Sequence, residues 1–172
     1  MKNHVHLIVV PSTENSLGNM MQSLGRKYVQ YVNWTYKRTG TLWEGRFKSS
    51  LISNDEYLTT CAIYIELNPV RAKITEKASD YQWSSYRAKA EGVEDLIIEM
   101  DPVYKDLGKT DKERQMKYRE LISGVSPNMI ELIRQTTQKG GIIGDEQFVE
   151  KISRMMGREI ILRKRGRPKK SL

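Results

Sequence analysis

Cysteine is almost missing: the 172-residue chain holds one, Cys61. A single thiol excludes an internal disulfide framework and a cysteine cluster for zinc, and fits a reducing compartment. Cys61 falls inside an apolar helical pattern, the place of a small buried side chain. Histidine is nearly as scarce, with His4 and His6 alone. No apolar run approaches the length needed to span a bilayer, and no secretory leader is visible. Those absences predict a cytoplasmic protein with no membrane partner. A glycine-rich phosphate loop is absent, and so is a nucleophilic serine on a strained elbow, so nucleotide hydrolysis and serine acyl transfer have no anchor in the sequence.

What is abundant is positive charge. Lysine and arginine number 29 against 21 acidic residues, giving a net charge of +8. This balance favours a polyanionic partner, with nucleic acid first and associated with the nucleoid. A hydrophobic content of 38% supports a modest core, enough for one domain with an appendage.

Residues 4–10, with β-branched and apolar side chains closed by Pro11, read as a strand. Alternation aims His4 and His6 at one side of it. From Asn15 or Ser16 a helix is expected to about Arg38, with Leu17, Met20, Met21, Leu24, Tyr28, Tyr31 and Val32 on its buried face and Gly40 closing it. The following segment interleaves Arg38, Trp43, Arg46 and Lys48 with Gly40 and Gly45. Cations, a ring and a pliable backbone suit a loop that grips single-stranded nucleic acid; the alternative is an ordinary turn with Trp43 and Phe47 in the core. A second strand is expected from Arg46 to Ile52, with Phe47, Ser49 and Leu51 on one face.

Asn54 is the expected cap of a second helix, with Asp55 and Glu56 in its first turn and Tyr57, Leu58, Cys61, Ala62, Ile65 and Leu67 on its packing face. Pro69 is expected to end it. Tyr64 and Asn68 are four apart and share a face. A phenol beside an amide oxygen, set near two imidazoles, has the parts of a nucleophile next to a divalent metal site with open positions. Each part has a structural alternative: a surface His-x-His pair, and a packing tyrosine.

Short helical turns are expected around Tyr81 to Tyr86. After a cluster of acidic residues from Glu91 to Asp101, helices are expected near 110–123, 126–138 and 145–156, the last capped by Asp145. The organisation is therefore residues 1–90, a helical appendage over 91–160, and a basic tail over 161–172. In that tail Arg165 and Arg167 flank Gly166 ahead of Pro168, a pattern like an AT-hook that can enter the minor groove of A·T-rich duplex. The alternative is a basic tail with general phosphate affinity.

Lys2 to Leu7 with its His4-Val5-His6 centre, the loop from Arg38 to Lys48, Tyr64 to Ala72, and Tyr81 to Tyr86 together resemble the REP-associated tyrosine transposases, within the single-tyrosine, HUH-type (insertion-sequence 200-like) superfamily. The resemblance covers roughly the first half of the chain. It implies an α+β, ferredoxin-like nuclease domain with a short antiparallel sheet, followed by a helical C-terminal region, that cleaves and rejoins single-stranded hairpin DNA. It further implies His4, His6 and Asn68 as ligands of Mg2+ or Mn2+, and Tyr64 as the nucleophile of a 5′-phosphotyrosine. Arg46, Lys48 and Arg71 are then expected to contact the strand. The departure lies ahead of His4, where relatives carry a further strand and helix, so the domain is expected to be incomplete. The rival reading is a DNA-binding protein without catalysis, using the loop and the tail.

Overall fold

In the computed structural model the described residues are 1, 3–53 and 55–157. They fall into two compact units, Lys2–Lys48 and Ser49 onward together with Met1. The expected Asn54 cap and the tail with Arg165 and Arg167 lie outside the described residues.

In the first unit, helix α1 spans Ser16–Thr35, close to the expected start. It ends at Tyr36, whose N–H reaches the Val32 carbonyl, rather than at Gly40. None of its residues is buried, and Leu24, Tyr28 and Tyr31 of the expected buried stripe are exposed. A helical stripe marks only the face able to be buried; another element must cover it. Residues 4–10 form no strand, contrary to the alternation. Their backbone has no ladder partner among the described residues, and a strand cannot exist alone.

The second unit carries the core. Strand β1 is only Leu51–Ile52, shorter than expected, so Phe47 and Ser49 lie outside it. It pairs with β2, Ile142–Ile143, in parallel, with Leu51 opposite Ile142 and Ile52 opposite Ile143. The two strands are thus parallel where an antiparallel sheet was expected, because β1 meets a segment about ninety residues on through a helical crossover rather than a hairpin. Gly144, just past β2, lies so close to Ser53 that a Cβ there would stand 2.7 Å from its side chain. The architecture is mostly helical with this small sheet, an α+β fold in the broad sense.

Helix α2, Asp55–Arg71, is the centre of the unit. Pro69 lies inside it rather than ending it. The ring removes the N–H that would meet the Ile65 carbonyl, and the chain turns four residues later, where Lys73 takes φ +55°. Against α2 pack a 3-10 turn over Ala78–Asp80 and helices α3 (Pro102–Asp106) and α5 (Pro127–Lys139), while a π-helical turn over Arg87–Glu91 packs on α4 (Asp111–Gly124). The turns flank the Tyr81–Tyr86 segment instead of occupying it. Helix α6, Glu146–Met155, follows β2, its Asp145 cap accepting from the Phe148 N–H at 2.7 Å. The starts and ends of α4, α5 and α6 agree with the sequence to within a residue or so.

Cys61, Ile63, Tyr64, Tyr104, Tyr118, Ile130, Ile133 and Ile143 form the core cluster. Two polar groups are sealed into its edge, one around Glu66 and one around Lys89. Glu66 is fully buried and accepts hydrogen bonds from Ser85 Oγ at 2.6 Å and Tyr118 Oη at 2.9 Å. Lys89 is buried with its ammonium 2.8 Å from Asp101 Oδ2 and above the rings of Tyr104 and Tyr118.

Candidate functional site

The sequence-nominated groups occupy both units, and each set has its own geometry. In the first unit, His4 and His6 stand edge to face with ring centroids 5.0 Å apart. His4 Nδ1 is 2.8 Å from Asn3 Oδ1. His6 is held below the usual histidine range by burial first and then by the neighbouring His4. A neutral imidazole is the form that binds a metal. Two imidazoles this close can take neighbouring positions around one divalent ion. Among the described residues there is no cluster of three or more His, Cys, Asp or Glu that could hold a metal; a third ligand would be of another type, as an asparagine is.

The loop after α1 also belongs to this unit. Arg38, Arg46 and Lys48 are exposed. Trp43 packs on α1 but is not part of the core. Its Nε1–H donates to the Gly25 carbonyl at 3.4 Å and its ring lies 5.7 Å from that of Tyr28, yet 43% of the residue remains exposed. The ring is tied to α1 at its Nε1 edge and otherwise partly exposed.

In the second unit, Tyr64 and Asn68 share a face of α2 as their spacing requires. Tyr64 is 6% exposed and its ring belongs to the core cluster. The Arg71 guanidinium carbon lies 5.5 Å from the ring centroid. Burial raises the phenol's pKa; the charges of Arg71 and Arg134 and a hydrogen bond with Arg71 oppose that rise. The hydroxyl is therefore a protonated phenol at neutral pH, with cations around it that favour its anion.

Sequence reasoning did not find Glu131 and Arg134, which α5 brings to this place. Arg134 Nε–H donates to Glu131 Oε2 at 2.8 Å and Nη2 to Oε1 at 2.6 Å, while Arg71 Nη2 lies 3.8 Å from Oε2. An (i, i+3) Glu–Arg pair reads as a solvated helix face. Only the packing of α5 on α2 connects it with Tyr64.

Residues 1–68 match the model of the family described as Transposase IS200 like. Over that segment, 68 of the 172 residues, the chain is similar to the IS200-like transposases, and the likeness supports a DNA transposase function in general, with DNA as the partner. Transposases of this family are in general divalent-metal dependent. No curated protein and no solved structure matches the chain. No helix among the described residues is long and apolar enough to cross a membrane.

Proposed function

We propose that the chain is a single-tyrosine DNA strand transferase acting on single-stranded, hairpin-forming DNA of the REP type, with Tyr64 as nucleophile and His4, His6 and Asn68 as the metal-binding set. The observation that carries this reading is that the family match spans all four residues, His4 and His6 near its start and Tyr64 and Asn68 at its end. Bound Mg2+ or Mn2+ would polarise the scissile phosphate. The Tyr64 oxygen attacks the phosphorus and gives its proton to solvent; the P–O3′ bond breaks and the departing 3′ oxygen takes up a proton. The product is a 5′-phosphotyrosine and a free 3′-hydroxyl. Attack by a second 3′-hydroxyl reverses the step and joins a new strand, so no external energy is used. Arg71 supports the reading, since its cation by the phenol offsets part of the rise that burial imposes. Arg38, Trp43, Arg46 and Lys48 supply cations and a stacking face for the strand, and Arg165 and Arg167 supply a duplex contact.

A second reading, a DNA-binding protein without catalysis, is favoured by the burial of Tyr64. Labelled hairpin DNA incubated with the protein and Mg2+ or Mn2+, then resolved under denaturing conditions, separates the two. The strand-transfer reading expects a labelled protein band that disappears with Tyr64→Phe and with a chelator. Binding without any covalent band in either metal would overturn it.

A further inference from the structure

The Glu131 carboxylate, whose charge acts on Tyr64, is surrounded by donors. It receives the two-pronged donation of Arg134, a further hydrogen bond from Gln135 Nε2 at 2.9 Å, and the charge of Arg71 from α2 at 3.8 Å. These donors hold the Glu131 carboxyl well below the usual carboxylate range, at about 2, the Arg134 hydrogen bonds first among them. A guanidinium forked onto both oxygens, with a second guanidinium 3.8 Å from one of them, is a setting that also suits a phosphodiester's two non-bridging oxygens. The three charged side chains keep 34%, 42% and 37% exposure for Arg71, Glu131 and Arg134, so an anion from solvent can reach them. Arg71 and Arg134 are also the two cations acting on the Tyr64 phenol.

We propose that Arg71 and Arg134 form a phosphodiester-binding pair next to Tyr64, with Glu131 holding the place of the phosphate until a strand displaces it. The proposal rests on the reading of Tyr64 as nucleophile only for its role in the reaction; the anion site itself stands on the arginine geometry. With Glu131 in place the pair carries one net positive charge, and with a phosphodiester in its stead the same hydrogen bonds are made to the substrate. Glu131 therefore competes with the strand. Arg134, which lies outside the family match, becomes a positioning residue for the scissile phosphate.

The test uses the whole chain with inorganic phosphate as the probe, followed by arginine side-chain N–H resonances in NMR. Phosphate should shift the Arg71 and Arg134 signals, saturably. Glu131→Gln should tighten that binding about threefold or more, because a neutral amide competes poorly with a charged oxygen. Arg134→Gln and, separately, Arg71→Gln should weaken it by at least as much. All three substitutions are at partly exposed positions, and a far-UV circular dichroism melt confirms that each variant folds. Unchanged phosphate affinity in both Glu131→Gln and Arg134→Gln would overturn the proposal, even if Tyr64 forms its adduct. Saturable binding with the expected order of variants, but no covalent band in any of them, would uphold the anion site and remove the strand-transfer reading.

Discussion

Replacing Glu66 tests how α2 is held. Helix residues advance about 100° each, so Glu66 points roughly opposite both Tyr64 and Asn68, two positions either side. The hydrogen bonds from Ser85 and Tyr118 thus clamp the far face of the helix that carries the candidate nucleophile. Glu66→Ala strands the Tyr118 hydroxyl, on a residue 1% exposed, at about 1–3 kcal/mol. Ser85 is half-buried and can turn to water, so it adds the lower end of that range; a void at a fully buried site adds about 1 kcal/mol or more. Against this, alanine removes an unfavourably buried acid, and the net loss is about 2–4 kcal/mol. Glu66→Gln keeps the shape, its oxygen accepting one hydroxyl and its amide N–H donating to the other, and should cost no more than about 1 kcal/mol. Urea unfolding followed by circular dichroism would show the alanine variant's midpoint lowered by about 1 M or more, taking a slope near 2 kcal/mol/M.

The pH dependence has a definite sign. Burial raises the Glu66 pKa above its ordinary 4.5, against the opposing hydrogen bond from Ser85 and the charge of Lys89. The folded chain then keeps a proton that the unfolded chain has already lost. The contribution of the neutral carboxyl is complete below about pH 4.5 and is lost as pH rises through the folded value. Wild type should therefore lose stability relative to Glu66→Gln on going upward through that window. If the glutamine variant is as damaged as the alanine one, or if alanine shifts the midpoint negligibly, the clamp is not what holds α2.

Asp101→Asn should cost about 3–5 kcal/mol in a thermal melt at neutral pH, because the nearly buried Lys89 ammonium loses its counter-charge. Burial raises the Asp101 pKa, but the Lys89 and Tyr104 hydrogen bonds outweigh that and hold it below 3.8. Wild type should consequently lose this contribution only as pH falls through that depressed value, and the asparagine variant should lack the acid transition. Burial pushes the Cys61 thiol up to about 12, so iodoacetamide at neutral pH should label it slowly when folded and fully once urea unfolds the chain. Trp43→Ala removes an exposed ring face and should weaken single-stranded DNA binding by about 1–3 kcal/mol in fluorescence anisotropy. The unfolding of the Glu66 core should not change with it; an unaltered DNA affinity would assign Trp43 to packing against Tyr28 alone.

Local chemistry was legible in the sequence wherever neighbours along the chain decide the outcome. Asp145 marks the start of α6, where its side chain accepts from the Phe148 N–H, and caps act through the nearest backbone N–H groups. The Tyr64–Asn68 face follows from helical pitch alone, and the likeness to the IS200-like transposases was legible in residues 1–68. Everything that required a distant partner was not legible. Residues 4–10 have the composition of a strand, but a ladder needs a second backbone; the stripe on α1 needs a covering surface; and the parallel pairing of Leu51–Ile52 with Ile142–Ile143 depends on a segment from the far end of the chain. Pro69 shows the same limit at short range, since one missing N–H in a packed helix is tolerable when the neighbouring contacts are kept. The sequence by itself determined which side chains could do chemistry and on which element they ride. Only the tertiary structure decided that Tyr64 is buried, that Glu66 is clamped by Ser85 and Tyr118, and that Arg134 and Glu131 stand beside the phenol, because burial and charge pairing arise from residues that the chain separates and folding brings together.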